Sequence, residues 1–229
     1  MITPKNFQQF LFHESARPAD VKETVRHLRG TKIRQRNARY SLPESLVGSV
    51  FSINVRPAAW ENVLRNLNDF AEWTNLSDEE RRGLSLTDLL ELADGPREFE
   101  RDVFENSQLT SPRGGITKAH AVMKIARILK NNGIDKLSDL NCMPLMESYR
   151  HIRQIPGQSN GVAFVFMLIL AGWKDMVKPD RRVKTQMEKI LNRTLQPHYA
   201  AEVLREAAFV MKVNPSDLDL TLWQMADAA

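Results

Sequence analysis

One cysteine, Cys142, stands in a chain of 229 residues. A single thiol excludes an internal disulfide, and it excludes a cysteine-ligated iron–sulfur cluster, which takes about four thiolates. It also points to a reducing compartment. Strand signals are scarce: β-branched alternation is rare, and no Asn-Gly or Asp-Gly step lies between two alternating segments. The longest apolar run, Val162 to Trp173, falls short of the about 20 residues that cross a bilayer. No basic stretch followed by an apolar one opens the chain, so no signal peptide is expected. The histidines His13, His27, His151 and His198 show no metal-ligand spacing, and no catalytic metal is expected. Repeats, low-complexity tracts and long heptads are lacking too. The expectation is a cytoplasmic chain with no membrane segment.

What is present is Leu, Ala, Arg, Glu and Met at helical spacing, which predicts an all-α fold. A hydrophobic content of 42% suffices for one core or two small lobes. Net charge is +4 with pI about 9.3, which permits a nucleic-acid partner without requiring one. Residues 1–41 read as an N-terminal basic extension: from Arg26 to Tyr40 the chain carries no acidic residue, and such a run either neutralises phosphates or is simply solvated. Before it, Pro18 to Val25 predicts a short helix capped near Asp20. Further helices are predicted from Pro43 to Ile53, from Pro57 to Phe70, after the capping box at Ser77, and from Ser85 to Ala93. Others follow from Arg97 to Phe104, Thr117 to Asn131, Leu145 to Arg153, Val162 to Gly172, Arg181 to Leu191, and Pro197 to Met211. Trp60, Trp73, Trp173 and Trp223 occupy apolar helical positions and read as core.

The stretch from Ile155 to Val183 carries the most chemistry. Ile155-Pro156-Gly157 is a tight turn ahead of an apolar helix, and Val177-Lys178-Pro179-Asp180-Arg181-Arg182-Val183 follows it with one carboxylate among cations. Turns between helices leave backbone N–H groups that can bind a phosphate. This arrangement resembles the helix-hairpin-helix signature and catalytic aspartate of the endonuclease III-like (HhH-GPD) DNA glycosylases. Ordered likenesses run along the rest of the chain: Leu46 to Asn54 resembles the helix that ends at the active-site cleft. Ile116 to Ala121 resembles the family's "asn-ser-lys-ala" helix, and Pro215 to Trp223 its pro-x-x-leu-asp-x-x-x-trp segment. With one cysteine, the chain would belong to a branch without the cluster.

The resemblance implies a domain over residues 42–229, formed of two helical lobes with a DNA-binding cleft, the central lobe spanning about 57–160. It implies a base-excision enzyme acting on a modified or damaged base swung out of the stack. Asp180 matches the catalytic aspartate, whose charge stabilises an oxocarbenium-like sugar and orients water. Asp180 would also N-cap the following helix. The expected DNA contacts are the N–H groups of the Gly157, Gln158, Ser159, Asn160 and Gly161 hairpin, with Arg181 and Arg182 binding the strand or partly quenching Asp180, and Asn54 or Arg56 filling the gap of the flipped base. Ser159 replaces the usual second glycine, which predicts a left-handed residue at Asn160 instead. Strand-cleaving members place a Schiff-base lysine where this chain has Gly161, so a monofunctional enzyme is implied, with Lys178 as a substitute amine to be tested. No cofactor is implied beyond a monovalent cation held by hairpin carbonyls. The expected state is a monomer bound to DNA. The alternative is a catalytically silent helix-hairpin-helix DNA-binding protein, and a third reading is an interaction protein that keeps only the fold.

Overall fold

A computed structural model describes residues 3–36 and 40–225; residues 37–39 of the basic run lie outside the described residues. It is all-helical there. The only strand-like feature among the described residues is one isolated antiparallel bridge between Leu109 and Thr117. In chain order the α-helices are α1 (Pro4–Phe12), α2 (Pro18–Leu28), α3 (Leu42–Phe51), α4 (Pro57–Phe70), α5 (Asp78–Arg82), α6 (Leu86–Leu90) and α7 (Pro96–Glu98). They continue as α8 (Lys118–Asn131), α9 (Cys142–Ile152), α10 (Val162–Leu170), α11 (Arg181–Leu191), α12 (Pro197–Val210) and α13 (Pro215–Met225). None is long and apolar enough to cross a membrane.

The helices fall into two compact units, residues 1–38 with 172–229, and residues 39–171. In the first, Leu28 of α2 joins Val183, Met187, Ala200, Val203, Leu204, Leu218 and Leu222 in one core. The residues set apart above as a basic extension therefore contribute helices to this unit. Proline at the first turn starts α2, with Arg17 rather than Asp20 at the cap position. Asp20 sits in the first turn, where its carboxylate binds the Tyr199 hydroxyl and Arg193.

In the second unit α3 and α10 are the centre, and every residue of both is buried. Ser41 and Glu44 close a capping box on α3: the Ser41 hydroxyl accepts the Glu44 N–H at 3.3 Å and the Glu44 carboxylate accepts the Ser41 N–H at 2.8 Å. Gly48 lets α3 approach closely, because a Cβ there would lie 3.1 Å from Trp60 and 3.3 Å from Leu170. The helix predicted from Arg97 to Phe104 departs from expectation. After α7 the chain widens into a π-turn over Phe99–Val103, closed by the Phe104 N–H donating to the Phe99 carbonyl at 2.8 Å. The wider turn brings Phe99, Val103 and Phe104 all into the core.

Candidate functional site

The chemistry-bearing residues lie in both units. In the first, the Asp180 N–H donates to the Lys178 carbonyl at 2.8 Å, so Lys178-Pro179-Asp180 forms a tight γ-turn around a buried proline. That turn delivers Asp180 to the start of α11, where its Oδ1 accepts the Val183 N–H at 3.0 Å. Its other oxygen, Oδ2, lies 3.9 Å from the Lys178 ammonium, and the two side chains are only 16% and 12% exposed.

A second carboxylate stands behind the turn. Asp219, on α13, is buried, faces Arg36 Nη2 at 3.6 Å, and accepts the backbone N–H of Lys178. Burial pushes its pKa up to about 7, the neighbouring Asp180 charge adds to this, and Arg36 and Lys178 oppose it. Burial likewise pulls the Lys178 ammonium down, against the attraction of Asp180 and Asp219. α13 also fixes the chain around Arg36. Asp217 Oδ1 accepts the Arg36 N–H at 2.8 Å, and Thr221 Oγ1 accepts the Arg34 N–H at 2.8 Å. Of the two arginines after Asp180, Arg181 is exposed, whereas the Arg182 guanidinium lies 3.9 Å over the Trp223 ring. Trp223 is thus only half-buried, a partner for a cation rather than pure core.

In the second unit, residues 153–161 connect α9 to α10. The left-handed residues are Gly157 (φ +83) and Gly161 (φ +69), and Asn160 is not among the positive-φ residues. Ser159 is therefore tolerated because glycines on either side take the left-handed positions, which corrects the expectation at Asn160. Both glycines are also sterically required. A Cβ on Gly157 would stand 2.6 Å from Thr110 Cβ, and one on Gly161 would run into the Tyr149 phenol, whose pKa burial pushes up to about 12.

The hairpin offers fewer free donors than expected. The Gln158 N–H is spent on the Ile155 carbonyl at 2.9 Å and the Gly161 N–H on the Gln158 carbonyl at 3.1 Å. Gln158 and Gly161 are also buried. The N–H groups of Gly157, Ser159 and Asn160 have no backbone acceptor among the described residues, and all three residues are exposed. Asn160 Oδ1 caps α10 through the Val162 N–H at 3.1 Å. The carbonyls of Ile155, Pro156, Gln158 and Ser159 each accept one hydrogen bond already, so a monovalent cation fits only through their second lone pairs.

Asn54 and Arg56 are both exposed in the turn between α3 and α4, with Asn54 left-handed at φ +57. The side chain that anchors this turn is Lys118, the lysine of the Ile116–Ala121 segment, to which the sequence reading gave no role of its own. Lys118 is 2% exposed, and its ammonium donates to the carbonyls of Phe51 (3.1 Å) and Ile53 (2.9 Å) and to Gln108 Oε1 (3.1 Å). No carboxylate is among these partners, and burial pulls its pKa down to about 8. His120, two residues on, lines an open groove of about 620 Å³ with Glu98, Glu100, Leu109 and Thr117. Among the described residues no group of three or more His, Cys, Asp or Glu side chains could hold a metal.

The chain belongs to a family described as a domain of unknown function, DUF8548, whose model matches residues 19–227. No curated protein and no solved structure matches it. The family boundary takes in α2, in keeping with the place of that helix in the core of the first unit.

Proposed function

We propose that this protein is a monofunctional DNA glycosylase that releases a modified base by hydrolysing its N-glycosidic bond. The observation that carries the reading is Asp180: a largely buried carboxylate at a helix start, one oxygen accepting the Val183 N–H and the other 3.9 Å from the Lys178 ammonium. Departure of the base leaves positive charge on the sugar. A preorganised anion stabilises that charge and aligns water for attack at the anomeric carbon. The exposed N–H groups of Gly157, Ser159 and Asn160 supply a phosphate clamp, and Arg181 a strand contact. Asn54 and Arg56, on the turn held by Lys118, fill the place of the flipped base. Gly161 supports hydrolysis without strand cleavage, since its conformation and the Tyr149 phenol leave no room for a lysine side chain there.

The silent DNA-binding reading is favoured by one observation, the Lys178 ammonium at 3.9 Å from Asp180, which offsets the charge that catalysis needs. Single-turnover assays on duplex oligonucleotides bearing one uracil, hypoxanthine, 8-oxoguanine or alkylated base, read as alkali-labile abasic sites, decide between them. Release of a base that is lost in Asp180→Asn supports the glycosylase. Salt-dependent DNA binding without release of any base supports the binder.

A further inference from the structure

We infer that Asp219, together with Arg36, is a positioning residue for Asp180, setting both the shape of the Lys178–Asp180 turn and the share of the Lys178 charge that Asp180 feels. This rests on the glycosylase reading for its consequence, though its geometry stands on its own. Three observations carry it. The Asp219 carboxylate is buried and accepts the Lys178 N–H, while the Lys178 carbonyl accepts the Asp180 N–H. One residue is thereby gripped from both sides, and a shift in Asp219 is passed directly to Asp180. Arg36 Nη2 stands 3.6 Å from the Asp219 carboxylate, and Asp217 pins the Arg36 backbone. Finally, the Lys178 ammonium is attracted by two carboxylates, Asp180 and Asp219, so neither alone neutralises it.

The electrostatic consequence has a sign. The charged groups facing Asp219 are Arg36 from the segment after α2 and Lys178 and Asp180 from the turn, while Arg182 of α11 acts on Lys178. Below about pH 7 Asp219 is protonated, and more of the Lys178 ammonium charge then bears on Asp180. Above it the ionised Asp219 shares that ammonium, leaving more of the Asp180 charge for the substrate. Base release should therefore rise with pH through about 7.

The test uses the full chain and three proteins: wild type, Asp219→Asn and Asp219→Ala. Asn keeps an acceptor for the Lys178 N–H and removes the charge; Ala removes both. Asp219→Ala should slow single-turnover excision by roughly tenfold, the weight of one hydrogen bond at the transition state, with DNA affinity within about twofold of wild type. Asp219→Asn should retain more activity and lose the rise near neutrality, which a purely structural role would leave in place. Two readouts are independent of activity. Amide exchange at Lys178 should accelerate in Asp219→Ala, and the Lys178 side chain, followed by NMR, should titrate at lower pH in Asp219→Asn. If no oligonucleotide is processed by wild type, the glycosylase reading fails, and the two NMR measurements still decide the positioning role. An unmoved Lys178 titration, or wild-type rate and pH profile in Asp219→Asn, overturns the inference.

Discussion

Replacing Gly157 by alanine separates two costs that usually arrive together. The first is conformational: at φ +83 an L-residue is disfavoured by about 1 kcal/mol relative to glycine. The second is steric, since the new Cβ would lie 2.6 Å from Thr110 Cβ and 2.7 Å from Thr110 Oγ1. These are closer than any real carbon contact, so Thr110 must move. Its hydroxyl donates to the Pro156 carbonyl at 2.8 Å, a hydrogen bond worth about 1 kcal/mol that the movement would break. Together with the displaced packing, Gly157→Ala should cost about 2–4 kcal/mol. Gly133 is the internal control: it is also left-handed, at φ +78, but no atom lies within 4 Å of its Cβ position. Gly133→Ala should cost only the conformational part, about 1 kcal/mol. Urea denaturation of both variants measures the difference, and equal destabilisation would refute the steric account. In folded Gly157→Ala, the phosphate clamp proposed above predicts that affinity for duplex DNA falls by similar factors for all sequences.

Asp180→Asn should keep the fold, since Asn caps a helix about as well as Asp, while reducing base release far beyond any change in DNA affinity; equal release rates would remove the carboxylate from the mechanism. Borohydride should trap no covalent adduct with abasic-site DNA, and strand breaks should need alkali or heat; a strong adduct would point to Lys178. Lys118 gives a pH signature. Its folded pKa of about 8 lies below its ordinary value, so the folded state binds fewer protons and wild-type stability should rise from about pH 8 towards 10.5. Thermal unfolding across that range should show a smaller rise in Lys118→Met, and an unchanged slope would refute the assignment. At neutral pH the same variant should lose about 1–3 kcal/mol, because the buried Phe51 carbonyl and the half-buried Ile53 carbonyl lose their donor.

Much of the helical layout was legible because caps and prolines are local signals. Ser77 with Glu80, and Pro18, Pro57 and Pro197, each start a helix through contacts within a few residues, whereas the Ser41–Glu44 box was missed and that helix was read from Pro43. Asp180 was legible as an N-cap for the same reason. What was not legible depends on residues far apart in the chain. Arg36, Lys178 and Asp219 meet only in the folded unit. The signal for Asp219 was faint: it lies in a Pro-Ser-Asp-Leu-Asp segment whose first acid, Asp217, is occupied by the Asn214 side chain and the Arg36 backbone. Lys118 was named only within the Ile116–Ala121 likeness, and its burial depends on the carbonyls of Phe51 and Ile53, more than 60 residues away in the chain. The π-turn at Phe99 follows from three apolar residues competing for one core, which helical periodicity alone does not encode.

The two-unit division also dictates an order of events during synthesis. Residues 39–171 are continuous, so that unit can complete its core while the ribosome is still adding the C-terminal helices. The other unit is built from the first 38 residues and the last 58, counted from 172 to 229, so α1 and α2 must wait for α11 to α13 before their apolar faces are covered. The last helix of the early unit, α10, is nine consecutive apolar residues without a charge or proline, β-branched and aromatic in its first half. Such a segment is a seed for intermolecular β-pairing whenever it is left uncovered. Its partner, α3, opens the same unit, so α10 is shielded as soon as it emerges. A substitution that delays the α3–α10 pairing would therefore lower the soluble yield even where the finished fold could accommodate it.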